Sequence, residues 1–202
     1  MNTNKKKWIL PLIVLLIGTA ILAGMVDHLK ASGQKQNREM ADLNAMTYGE
    51  RVRTDLMKGI GVTDTLEQIL VSENGKISKF SCVAENMMTN YIQSIQLAPK
   101  GVVTDIYPEK GNEAGKIDLI HDKDRGEVSR YARDHGVVVV QGPFELKQGG
   151  QGIAVRNPVY LENEDGEKTF WGFTIVIIRV PDIFVESLEA LSNFGYDYKL
   201  SK

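Results

Sequence analysis

The run from Trp8 to Val26 constrains this chain more than any other stretch, because 19 residues pass without a charged side chain. As a helix rising about 1.5 Å per residue they span roughly 28 Å, near the thickness of a bilayer's hydrocarbon core. Lys5, Lys6 and Lys7 precede the run, and Trp8 sits at its edge, where an indole ring prefers the lipid–water interface. These lysines outnumber the cations directly after the span. The positive-inside tendency then puts residues 1–7 in the cytoplasm and everything beyond about residue 27 outside, as a single-pass anchor. A cleaved signal peptide is the competing reading, with Gly18-Thr19-Ala20 or Ile21-Leu22-Ala23 as small-residue exit sites. The apolar run continues past both, which is long for a signal core. No cysteine follows "LLIGTAILAG", so a lipoprotein anchor is excluded. Either reading exports the rest of the chain.

At 202 residues the chain holds one modest domain plus appendages. The net charge of −2, with 25% charged residues, gives no basic face for nucleic acid. Cys82 stands alone, so an intrachain disulfide and a CxxC motif are both impossible.

Residues 27–58 read as a stalk helix, rich in Lys, Gln, Glu, Met, Leu and Ala and free of proline. Leu29, Met40, Leu43, Met46 and Leu56 supply a loose apolar stripe suited to packing on a twin copy or on the chain's own domain. Gly59 and Gly61 interrupt the pattern. Asp64 and Glu67, at capping-box spacing, then open a second helix ending near Asn74-Gly75. A third helical stretch runs from Ser78 to Met88. From residue 91 the period changes to two: "YIQSIQLAP", a Pro99-Lys100-Gly101 turn, then "VVTDIYP". A short helix is expected over 124–134, and "VVVVQGPFEL" reads as a buried strand broken at Gly142-Pro143. In "GIAVRNPVYLE", Ile153, Val155 and Val159 face one way, Arg156 and Tyr160 the other. "FWGFTIVIIRV" is apolar on both faces, as in a covered central strand. A helix over 182–192 and a short "YDYKL" strand follow. The sum is an α+β chain with an open antiparallel sheet.

Two stretches imitate familiar chemistry. In "GNEAGKI" only three residues separate Gly111 from Gly115, one short for a phosphate loop, and Ile117 stands where the magnesium-binding hydroxyl belongs. "QGGQG" at 148–152 has the wrong spacing for a dinucleotide fingerprint and no helix pattern after it, and reads as a connection between strands. His121, Asp122 and Asp124 cluster in sequence but lack zincin spacing, and they sit where a helix must start, so capping is the simpler role for the acids. No nucleophile elbow is present. No catalytic residue, metal or cofactor is assigned.

"IQLAPKGVVTDIYPEKGNEAGKIDLIHDKDR", then "GPFELKQGGQGIAVRNPVY", then "WGF" resembles the CHASE domain over about residues 60–185. That family is the extracytoplasmic sensor module of bacterial histidine kinases, nucleotide and diguanylate cyclases, and plant cytokinin receptors. The resemblance implies a stalk helix followed by PAS-like antiparallel sheets, with a small-molecule ligand in the membrane-distal sheet. By position, Asp118 in "IDLI" matches an aspartate that accepts from a ligand's N–H groups, and Val140 matches an apolar wall residue. Arg156 in "RNPVY" stands where plant members carry a smaller hydroxyl residue. An arginine there favours a carboxylate or phosphate over an adenine-type hormone. Tyr160 completes the expected ligand-binding set.

The expected division is a cytoplasmic tail (1–7), a transmembrane helix (8–26), a stalk (27–58), a CHASE-like sensor domain (59–185) and a C-terminal segment (186–202). The expected partners are a small-molecule ligand, the membrane, and a second copy through the stalk, with no nucleic acid. The family normally continues into a second membrane helix and an output domain. The chain stops at "YDYKLSK" without kinase or cyclase sequence, which implies a fragment or a receptor that works through a partner. An exported hydrolase using His121 and nearby carboxylates, or an anchored assembly protein without a ligand, are the alternatives.

Overall fold

A computed structural model of the chain describes residues 3–110, 117–146, 149–193 and 195. Helix α1 runs from Thr3 to Ser72, 70 residues in one piece. At 1.5 Å per residue that is about 105 Å, so one helix carries both the apolar run and the stalk into the folded domain. Exposed pairs such as Lys35–Glu39 (3.8 Å) and Lys58–Asp55 (2.9 Å) lie along it, each worth only a few tenths of a kcal/mol.

The expected break at Gly59 and Gly61 does not occur, and Asp64 does not start a new helix. Gly59 serves packing instead: a Cβ there would lie 2.5 Å from Cδ1 of Ile178, so the missing side chain lets α1 approach the sheet. The helix ends where Asn74-Gly75 predicts. Gly75 adopts φ +82° and its N–H donates to the Leu70 carbonyl at 2.7 Å, satisfying an end carbonyl of the helix.

Beyond α1 come α2 (Phe80–Met87), β1 (Ile92–Pro99), β2 (Asp105–Tyr107), α3 (Gly126–His135), β3 (Val139–Glu145), β4 (Gln151–Glu162), β5 (Lys168–Arg179) and α4 (Val180–Asn193). The five strands form one antiparallel sheet in the order β2-β1-β5-β4-β3. β4 and β5 pair along nearly their whole length through a turn at Asn163–Gly166, where Gly166 N–H donates to the Asn163 carbonyl at 3.0 Å.

The sheet is buried on both faces, as the unbroken apolar run of β5 predicts. On one face Leu66 and Leu70 of α1 and Phe80 and Ala84 of α2 pack on Ile95, Val155, Val159, Val176 and Ile178. On the other, Leu119, Ile120 and Ala132 of α3 cover Ala98, Phe173 and Ile175. β3 departs from expectation. It is an edge strand, largely exposed rather than buried, with its register shifting between Gln141 and Phe144 around Gly142-Pro143. A proline, lacking an N–H, is tolerated at such an edge bulge. The expected "YDYKL" strand and the Gly111–Lys116 loop lie outside the described residues.

Candidate ligand-binding site

Residues directly opposite one another in antiparallel strands share a face. One row crosses all five strands: Val139, Arg156, Ile175, Gln96 and Ile106. A second runs Gln141, Ala154, Ile177 and Ser94. Both rows lie on the α3 side, where Ile106 and Ile175 join the cluster beneath that helix. The floor on this side therefore carries two polar pairs with isoleucines between them. Arg156 Nη1 donates to Gln141 Oε1 at 2.7 Å, and Gln96 Nε2 donates to Ser94 Oγ at 2.9 Å.

Arg156 is the unusual member, at 2% exposure. Its Nε is buried without a hydrogen-bond partner among the described residues, as is Ser129 Oγ on α3. Burial, with the like charge of Arg125 nearby, pushes the guanidinium down to about 10, and Asp122 offsets this only in part. Asp122 itself is bound just ahead of α3: Oδ1 accepts the N–H groups of Asp124 and Arg125, both at 2.9 Å, and Oδ2 lies 3.4 Å from Arg125 Nη1. Neither acid expected to cap this helix does so: its N-cap is Arg125, without a side-chain cap, and Asp122 instead holds the turn that leads into it.

Tyr160 lies on the same face as Arg156, as expected, and its hydroxyl donates to the Arg133 carbonyl, tying α3 to β4. Asp118 sits in the segment whose Leu119 and Ile120 cover the floor. Its carboxylate turns back on its own turn: Oδ1 accepts from Ile120 N at 3.0 Å and His121 N at 3.1 Å, and Oδ2 lies 2.8 Å from His121 Nδ1. The His121 hydrogen bond holds the Asp118 carboxyl below the usual aspartate value. Val140 is not brought to the site. It pairs with Val155, which puts it on the α1 face, and it is 53% exposed. His121, Asp122 and Asp124 do not converge, and among the described residues no three or more His, Cys, Asp or Glu side chains could hold a metal ion.

Sequence reasoning missed Gln96, Ser94, Gln141 and Ser129. The available signal, for Ser94 and Gln96, was polar residues at period two within a buried strand. The opposite face of β4 meets the stalk. Asn157 Nδ2 donates to Glu67 Oε2 at 2.7 Å and Asp64 Oδ1 at 3.2 Å, and on β5 Thr174 Oγ1 donates to the Thr63 carbonyl at 3.0 Å.

An antiparallel sheet in this strand order, with a long entering helix on one face and a buried polar floor on the other, has the architecture of a PAS-like sensor domain. The CHASE domain family model matches residues 35–200, and the chain belongs to that family. The match begins well inside α1, so the stalk is part of the module. No curated protein matches the chain. Among solved structures, the chain is similar to an extracellular ligand binding receptor from Desulfohalobium retbaense DSM5692, at TM-score 0.53 and 15% identity. The likeness covers 70% of this chain and 26% of that one, so the chain spans about a quarter of that receptor, and it speaks for the fold alone.

Proposed function

We propose that this chain is the ligand-sensing part of a membrane-anchored signalling receptor. Residues 8–26 cross the membrane with residues 1–7 in the cytoplasm, and the sheet domain lies outside. A small molecule binds on the α3 side of the sheet, with Arg156 and Tyr160 in the floor and Asp118 in the covering segment. Two copies pack through α1, whose Leu29, Met40, Leu43 and Met46 are exposed. The downstream output belongs to another domain or partner.

The observation that carries this reading is the pair Arg156 and Asn157. Successive strand residues point to opposite faces. Arg156 enters the ligand-side floor, and its neighbour Asn157 is hydrogen-bonded to two carboxylates of the helix that leads to the membrane. A shift of β4 at the floor is thus delivered to α1 without an intermediary. A ligand preferring one of two strand positions biases α1 by its differential affinity for them.

Thermal-shift screening of the full chain in detergent against a metabolite library tests this. The expected result is a binder whose affinity falls at least tenfold in Arg156→Ala. Binders that ignore Arg156→Ala and Asp118→Ala alike would remove the site from the reading.

A further inference from the structure

We propose that the α3-side floor takes a small organic carboxylate, held at Nε of Arg156, with a second hydrogen-bonding group at its far end on Gln96 and Ser94. The inference deepens the sensor reading above and rests on it.

Arg156 is buried to 2% exposure, its Nη1 is taken by Gln141, and its Nε has no acceptor among the described residues. Nε lies on the side-on edge of a guanidinium, the edge that meets a carboxylate through two parallel hydrogen bonds. Among the described residues no carboxylate hydrogen-bonds to it. Asp122, whose charge favours the cation, is already committed to the N–H groups of Asp124 and Arg125 ahead of α3 and to the Arg125 guanidinium. The layer around Arg156 holds Ile175, Ile177 and Ala154 beside the neutral Gln141, Gln96 and Ser94. A buried cation without a paired anion is costly, and a ligand's carboxylate removes that cost.

The other end of the floor fixes the length. Arg156 and Gln96 lie in the same row with β5 between them, two strand spacings or roughly 10 Å apart at Cα. Ile175 between them is 1% exposed beneath Leu119 and Ile120, so a bound ligand displaces that cover and lays a short apolar spacer in its place. The fit is a few-carbon carboxylate with a hydroxyl or amide at its far end, while Ser129 Oγ offers a further unused hydrogen-bonding group from α3.

The test is thermal melting of the full chain in detergent with ω-hydroxycarboxylates from glycolate to 6-hydroxyhexanoate. Their primary amides, inorganic phosphate, and sodium chloride at matched ionic strength are the comparisons. The acids are expected to raise the melting temperature saturably, with an optimum length, where amides and chloride do not. Arg156→Met should abolish that response and melt no lower than the wild type. Arg156→Lys should weaken the response at least tenfold. Acids acting no better than amides or chloride, or phosphate acting alone, overturn the carboxylate. An Arg156→Met protein that melts several degrees lower or fails to fold makes Arg156 a structural pillar and overturns the proposal as well. A neutral metabolite that stabilises wild type and Arg156→Met equally keeps the sensor reading and defeats this one.

Discussion

At Gly172 the backbone of β5 approaches β1 so closely that a Cβ would lie 2.2 Å from the Ala98 carbonyl oxygen. That oxygen is fixed by the sheet and cannot swing aside. Gly172→Ala is therefore expected to destabilise the chain by at least about 2 kcal/mol, read as a lowered unfolding midpoint. Asp118 makes a smaller, pH-dependent contribution. Its folded pKa is depressed by the His121 hydrogen bond, so the stability it adds is present above the ordinary aspartate value and is lost as pH falls through the depressed one. Its side chain is 43% exposed, which keeps the effect below about 1 kcal/mol. Asp118→Asn should cost that little at pH 7, and the gap in melting temperature from wild type should close below about pH 4. The same residues show what sequence conveys. The alternation in β4 placed Arg156 and Tyr160 on one face correctly. The face of Val140 was not legible, because four successive valines carry no alternation, and only its pairing with Val155 fixes which way it points. The bulge at Gly142-Pro143 further loosens any inference of face from spacing along that strand.

Among the elements, α1 departs furthest from a reading by propensity. Two glycines within three residues predicted a break, because glycine costs a helix about 1 kcal/mol relative to alanine. Packing of Leu66, Leu70 and Gly59 on the sheet offsets that cost and keeps the helix continuous. The two glycines then differ in role. Nothing lies within 4 Å of a Cβ at Gly61, so Gly61→Ala is expected to stabilise the chain by about 0.5–1 kcal/mol. A lower melting temperature for that variant would contradict the unbroken helix. The joint between α1 and β4 is tested by Asn157→Leu. It leaves the carboxylates of Asp64 and Glu67 without their donor, for an expected loss of about 1–3 kcal/mol in chemical denaturation. The positions of β1 to β5, the turn at Asn163–Gly166 and the covered central strand were legible, because period-two patterns and turn chemistry are local, whereas the exposure of β3 was not. Strand order was not, and neither was the polar floor, since both depend on pairings between residues far apart in the chain.

At the scale of the whole molecule, one helix about 105 Å long joins an apolar span to the underside of a sheet whose other side carries a buried, incompletely paired arginine. Family membership makes this a sensor domain. In the proposed reading the α3 face senses and the α1 face reports. The most direct measurement is hydrogen exchange of the full chain in detergent, with and without a small-molecule binder found by thermal shift. Slowed exchange in α3, β3 and β4, together with altered exchange in the last turns of α1, is the predicted result. Protection confined to the groove among Asp55, Lys58, Tyr91 and Ile183 on the stalk side, with α3 and β4 unchanged, would contradict it.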